Sequence, residues 1–284
     1  MGVFKAGIRT GLPRVAAPTI SMVGSLLCVS GAFAQDAANL AVRLSNPVAS
    51  LISVPFQYNY DQNLGIADDG QKSTLNVQPV IPISLNDDWN LISRTIVPII
   101  WQEDIVPDTE QHGIGDITQS LFFSPEEPTN GLIWAVGPVF LLPTGSLQSE
   151  YDREFLSSEK WGAGPTAVVL KQENGWTYGA LANHIWSFAG ADDRDDVNST
   201  FLQPFISYTT PDAWTFAVNT ESSYNWNTEQ WSVPINASVS KLVHFGNQPV
   251  SFQVGGGYWA DSPEGGPEGW RFRFSTTFLF PTGG

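Results

Sequence analysis

Four aspartates fall within five residues of the stretch ADDRDDVN: Asp192, Asp193, Asp195 and Asp196. Carboxylates at that density attract cations, and hard divalent ions such as Ca²⁺ and Mg²⁺ take oxygen ligands. The spacing lacks the glycine turn and distal glutamate of a helix–loop–helix calcium site. It therefore reads as a solvated loop that raises the local cation concentration. Nucleophilic chemistry is less well served. His112, His184 and His244 lie on three separate segments. Acyl transfer needs a nucleophile, a base and an orienting polar group together, and NHIWS (Asn183 to Ser187) is only a short echo of such a set. No HExxH, GxSxG or phosphate-loop pattern occurs. The sequence assigns no catalytic residue, no metal site and no cofactor.

A third group is Arg94, Glu221, Arg271 and Arg273. Its meaning depends on the elements that carry it. Near the end, in WRFRFSTTFLF, Trp270, Phe272, Phe274, Thr276, Phe278 and Phe280 alternate with Arg271, Arg273, Ser275, Thr277 and Leu279. Successive side chains of a strand point to opposite faces. One face is thus apolar and the other carries two guanidinium groups.

The same period recurs along the chain. Trp231, Val233, Ile235, Ala237 and Val239 alternate with Ser232, Pro234, Asn236, Ser238 and Ser240. Twelve strands of roughly ten residues are predicted, a length that crosses a bilayer at a tilt. They begin near residue 52 and end near 280. Short connections (NDD, QENG, TPDA, HFGNQ) alternate with mostly longer ones (EDIVPDTEQHG, AGADDRDDVNS, ADSPEGGPEG). This is the asymmetry of an up-and-down barrel with tight turns at one end and long loops at the other. Trp89, Trp101, Trp134, Trp161, Trp176, Trp186, Trp214, Trp231, Trp259 and Trp270 fall at or near strand ends, where indole favours the membrane–water boundary. Backbone groups in lipid must all be paired, so the sheet closes.

The charged set then falls on inner strand faces, and two readings stay open: an eyelet for a permeant, or a salt-bridged plug. Pro98, Gly162, Gly164, Gly179, Gly255 and Gly257 share those faces, leaving space or marking bends. Pro98, Pro204 and Pro234 interrupt strands, as kinks or as a lateral path through the wall.

Lys5, Arg9 and Arg14 precede an apolar run from about Ile20 to Phe33 that ends in Ala32-Phe33-Ala34. This is a secretory signal, residues 1–34, cleaved before Gln35. Its removal takes Cys28, the one cysteine, so no disulfide is expected. Twenty-eight acids against 13 Lys and Arg exclude nucleic acid as a partner. Residues 35–50 are either a short helix at the barrel mouth or a disordered leader.

Several long phrases carry a resemblance: NPVASLISVPFQYNYD, LNVQPVIPISLNDDWNLISRTIVPIIWQ, GIGDITQSLFFSP, WAVGPVFLLPTG, EKWGAGPTAVVLKQENGWTYGALANHIWSFAG and FLQPFISYTT. Together they resemble the bacterial outer-membrane family linked to the "MetA-pathway of phenol degradation", whose members are called transporters and sometimes labelled neuromedin U. The similarity covers about Asn46 to Phe280. It implies a β-barrel and transport of apolar or aromatic compounds, and it brings no catalytic motif.

The sequence reading is an all-β transmembrane antiparallel barrel of about 12 strands over residues 51–284, with a short N-terminal helical segment. It is expected in the outer membrane, among lipid and lipopolysaccharide, after insertion by the barrel-assembly machinery. Passive or facilitated diffusion of a small-molecule permeant is the leading function. A closed structural barrel acting through its acidic outer loops is the first alternative, and a barrel-embedded hydrolase built on His184 the second. The oligomeric state is not legible.

Overall fold

The computed structural model describes Gly2, residues 26–146 and residues 156–281, with side chains described from Gln35 onward. Most of the expected signal segment, part of the loop after Leu142 and the last three residues lie outside the described residues. One helix, α1 (Leu26–Leu44), precedes fifteen strand segments. These are β1 (Ile52–Leu64), β2 (Gly70–Val77), β3 (Val80–Ser84), β4 (Trp89–Glu103), β5 (Glu110–Ile114), β6 (Ile117–Pro125), β7 (Ile133–Leu142) and β8 (Lys160–Glu173). They continue with β9 (Trp176–Gly190), β10 (Asn198–Thr209), β11 (Trp214–Thr220), β12 (Ser222–Asn225), β13 (Gln230–Phe245), β14 (Gln248–Asp261) and β15 (Gly269–Phe280). Three spans are each broken once: between β2 and β3 at Gln78–Pro79, between β5 and β6 at Gly115–Asp116, and between β11 and β12 at Glu221. Twelve antiparallel spans result.

The sheet closes on itself. β15 pairs with β1 from Ile52↔Phe280 to Tyr60↔Phe272, and β9 pairs with β10 from Trp176↔Tyr208 to Trp186↔Asn198. Neighbouring spans are consecutive in sequence all the way round, as an up-and-down barrel requires. Turn chemistry fits the tight end. Asn174 and Gly175 both have positive φ (51° and 82°) and form the two-residue loop of a hairpin whose last pair is Glu173↔Trp176. Asn-Gly is the preferred sequence for such a loop because both residues tolerate the left-handed region.

The predicted alternation in β15 holds without a slip. Arg273, Ser275, Thr277 and Leu279 are buried, while Trp270, Phe272, Phe274, Phe278 and Phe280 are exposed. Large apolar side chains are likewise exposed around the outer wall, among them Ile206, Phe216, Val218, Ile235 and Val254. A continuous apolar outer face is stable against hydrocarbon and not against water. Aromatic pairs mark its two rims. Trp89 meets Trp134, and Trp176 meets Tyr208, at the short-turn end. Tyr224 meets Trp226 and Trp231, and Tyr258 meets Trp270, at the long-loop end.

The core lies inside the barrel and includes the N-terminal segment. Ala37, Ala38, Leu40 and Ala41 of α1 pack with Leu51, Ala213, Leu242 and Leu279. Ala213 belongs to a short turn, so α1 sits at the short-turn end. Beyond it, Val48 packs with Ile92, Phe122, Ala135, Val168, Leu170 and Leu181 on inner strand faces. Polar ties fix the segment: Gln172 donates to the Val42 carbonyl at 2.7 Å, and Asn90 donates to Ser50 Oγ at 3.1 Å. Residues 35–50 are therefore an ordered helix and turn seated in the mouth, and the disordered-leader alternative does not hold.

Candidate functional site: the charged lumen

Arg94, Glu221, Arg271 and Arg273 were predicted on inner faces, and the structure places all four in the lumen. Arg273 lies on the inner face of β15. Its Nη1 and Nη2 donate to Glu221 Oε1 and Oε2 at 2.9 and 2.7 Å, and its Nε to Asn59 Oδ1 at 2.7 Å. Glu221 was predicted within a continuous strand. It stands instead at the break between β11 and β12, where the register with β13 is unchanged, and it points inward with the same parity as Thr215, Ala217 and Asn219. Arg271 pairs with Asp61, Nε to Oδ1 3.1 Å, with both side chains under a tenth exposed. Its guanidinium also lies over the Trp259 ring, 5.0 Å from the centroid, and Trp259 Nε1 donates to Asp61 at 2.9 Å. Arg94, from β4, has a lighter tether: Nη2 donates to Gln78 Oε1 at 3.2 Å.

Three members of this zone escaped the sequence reading. Asp61 and Lys72 fell in what looked like a loop, but β1 runs to Leu64 and β2 starts at Gly70, and the two residues pair directly. Directly opposite residues share a face, so Lys72 also points inward. Trp259 was expected in the aromatic rim and faces the lumen instead. With these included, the zone holds four cations (Lys72, Arg94, Arg271 and Arg273) and two carboxylates (Asp61 and Glu221). Charges in a membrane barrel face water or one another, and this set does both.

The inner glycines are better explained by close approach than by open space. A methyl group at Gly257 would fall 2.8 Å from Arg271 Cδ, and one at Gly255 would fall 2.7 Å from the Ala237 carbonyl oxygen. Gly257 is thus the room that Arg271 occupies. The prolines divide. Pro234 is buried beside a register shift between Val233 and Pro234, a bulge. Pro204 faces outward next to a gap in the ladder. β10 pairs with β11 as far as Phe205↔Asn219 and with β12 from Leu202↔Ser222, and neither pairing includes Gln203 and Pro204 or Thr220 and Glu221. An open, shallow and almost wholly apolar groove there is bordered by Pro204, Ile206, Val218, Thr220 and Ile235.

At the long-loop end the acidic stretch is partly tied down. Lys160 donates to Asp196 at 3.1 Å and Ser187 Oγ donates to it at 3.0 Å. These bonds hold the Asp196 carboxyl below the usual carboxylate range. Asp192, Asp193 and Asp195 remain exposed. Among the described residues, no group of three or more His, Cys, Asp or Glu is arranged to hold a metal ion. Asp116, at the break between β5 and β6, accepts four bonds from the loop after β7: Gly145 N at 3.0 Å, and Ser157 Oγ, Ser158 N and Ser158 Oγ at 2.6 Å each.

The histidine echo comes apart. His184 lies on the outer face, packed at a tilt against Trp186 with ring centroids 4.0 Å apart. Its Nδ1 is 2.7 Å from Thr200 Oγ1, which also accepts from Trp226 Nε1. Ser187 lies on the opposite face and engages Asp196. Ser187 therefore does not stand beside His184.

Inside, two cavities of about 200 and 250 Å³ share Leu44, Ser45, Pro55, Gln78 and Phe205 in their linings. They form one lumenal space beside the N-terminal segment. No helix of the described residues is long and apolar enough to cross a membrane.

The fold is similar to that of an outer membrane channel from Pseudomonas putida F1, with a TM-score of 0.65 and 14% identity over 81% of this chain and 96% of that one. Weaker likenesses include the β domain of the Bordetella autotransporter BrkA (TM-score 0.47, 8% identity, 82% and 100% covered) and the NanC porin (0.46, 12%, 81% and 100%). No family model and no curated protein matches the sequence, so the resemblance to the phenol-degradation family rests on the quoted phrases. At 14% identity the Pseudomonas channel bears on the fold alone: a closed, twelve-span antiparallel β-barrel of the outer-membrane kind.

Proposed function

We propose that this chain is an outer-membrane diffusion channel, narrow and partly plugged, that passes small molecules down their gradient with no covalent step. Apolar and aromatic compounds are its permeants. The observation that carries this reading is the shared lumenal space beside the N-terminal segment, enclosed by a wall with an apolar outer face. The short-turn end is periplasmic and the long loops face outward, the arrangement of outer-membrane barrels. Lipid, lipopolysaccharide and the barrel-assembly machinery are its structural partners.

The test is solute uptake by liposomes carrying the refolded mature chain, using small aromatic solutes alongside a sugar. Uptake of the aromatic solutes above that of empty liposomes is the expected result. A folded, inserted barrel that admits neither would favour a second reading, a closed barrel acting through its acidic loops. The helix seated in the short-turn mouth is the observation that keeps that reading in view.

A further inference from the structure

We propose that the lumenal cavity of about 200 Å³ is a binding site for a small carboxylate with an apolar or aromatic body. The inference rests on the channel reading and names the substrate class. Two arginines, Arg43 from α1 and Arg94 from β4, line this cavity, and no carboxylate does; Arg43 also borders an adjoining cavity of about 150 Å³ whose lining includes Ser50, Glu126 and Glu127, so Arg94 is the cation that belongs to this space alone. Among the described residues neither group forms an ion pair. Arg43 donates to the Ser50 carbonyl at 2.6 Å and Arg94 to Gln78 at 3.2 Å. A guanidinium has five N–H donors, so most of the hydrogen-bonding capacity of both groups is uncommitted. The contrast with Arg271 and Arg273 is direct: each of those has its own carboxylate. Glu221 lies within electrostatic reach of Arg94, but both its oxygens are engaged by Arg273 and it does not line the cavity.

The other walls define the rest of the ligand. Phe205, Pro55, Val80, Leu44 and Leu51 present apolar surface to the same space. A fork of N–H donors matches a planar carboxylate, and the aromatic and aliphatic walls match a ring or short chain attached to it. Because Arg43 belongs to the plug segment, the ligand would bridge plug and wall.

The test uses the refolded mature chain in detergent, with folding verified by heat-modifiable mobility. Benzoate is titrated calorimetrically, with benzamide as its neutral isostere and inorganic phosphate as a ringless anion. Saturable benzoate binding is expected, with benzamide and phosphate at least about tenfold weaker, since a hydrogen bond to a charged group contributes about 1.5–3 kcal/mol. Arg94→Gln should weaken benzoate by a similar factor, and Arg94→Lys, which keeps the charge but loses the fork, by less. Equal affinity for benzoate and benzamide, equal affinity for phosphate, or unchanged binding by Arg94→Gln would overturn the proposal. Failure of the channel reading is seen separately in bilayer conductance. A conducting barrel that does not bind benzoate loses this site alone. Binding by a barrel that never conducts supports the site and removes the channel.

Discussion

Arg273 grips Glu221 with two hydrogen bonds, at 2.9 and 2.7 Å, although β13 and β14 separate them in the wall. The pair bridges the inner faces of the two intervening spans and ties β15 to the break between β11 and β12. The Arg273 side chain is 7% exposed. Removing its partner leaves a buried charge uncompensated, which costs about 3–5 kcal/mol. Glu221→Gln should therefore lower the urea midpoint of the barrel in lipid vesicles markedly. Pairing it with Arg273→Met should recover part of the loss. An unchanged midpoint in the single variant would show that the pair adds nothing to stability.

The N-terminal segment should restrict permeation. A mature chain beginning at Leu51 loses the helix face of Ala37, Ala38, Leu40 and Ala41 and the Val48 anchor. The twelve spans keep their pairing, so the barrel should still fold, with single-channel conductance raised several-fold. Equal conductance with and without the segment would remove it from the permeation path.

Asp116 should act as the clasp of the loop after β7. Its carboxylate accepts from both the Ser158 amide and the Ser158 hydroxyl. Asp116→Ala should speed hydrogen exchange at the Ser158 amide by an order of magnitude or more, because a hydrogen bond to a charged group contributes about 1.5–3 kcal/mol. Exchange as slow as in the parent chain would mean that other bonds hold the loop.

Asp196 should titrate below the ordinary aspartate range, since the bond from Lys160 favours its charged form. A depressed folded value places the stabilising contribution above the unfolded pKa, about 3.9, and removes it as pH falls through the folded value. Carboxyl chemical shifts should show the low midpoint, returning towards the ordinary value in Lys160→Met. An ordinary midpoint in the parent chain would contradict the pairing.

Much of this architecture is legible in the sequence, for a physical reason. In a membrane wall one face meets hydrocarbon at every second residue, so the period-2 signal of β13 and β15 is strong and continuous. Legibility fails where the lumen is wet. In YDQNLGIADDGQK the inward residues are polar, so the ends of β1 and β2 look like loop and Asp61 and Lys72 go unnoticed. Trp259 shares the parity of the inner-face residues Gly255 and Gly257, so alternation places it inward; its aromatic type and its place near a strand end assigned it to the rim instead, and its bond to Asp61 fixes it in the lumen. Partners across the barrel, such as Glu221 and Arg273, are 52 residues apart, and nothing local links them. The N-terminal segment was readable as a weak helix, but its seat depends on Leu242 and Leu279, far along the chain.

The central claim is tested most directly by single-channel recording of the refolded mature chain in a planar bilayer under a salt gradient. Four lumenal cations against two carboxylates favour anions in the charged zone of the lumen. The account predicts discrete conductance steps with a reversal potential of anion-preferring sign, shifted towards cation preference when Arg271 and Arg273 are both replaced by Gln. A demonstrably inserted barrel that stays silent, or one whose selectivity and conductance ignore the double substitution, would contradict it.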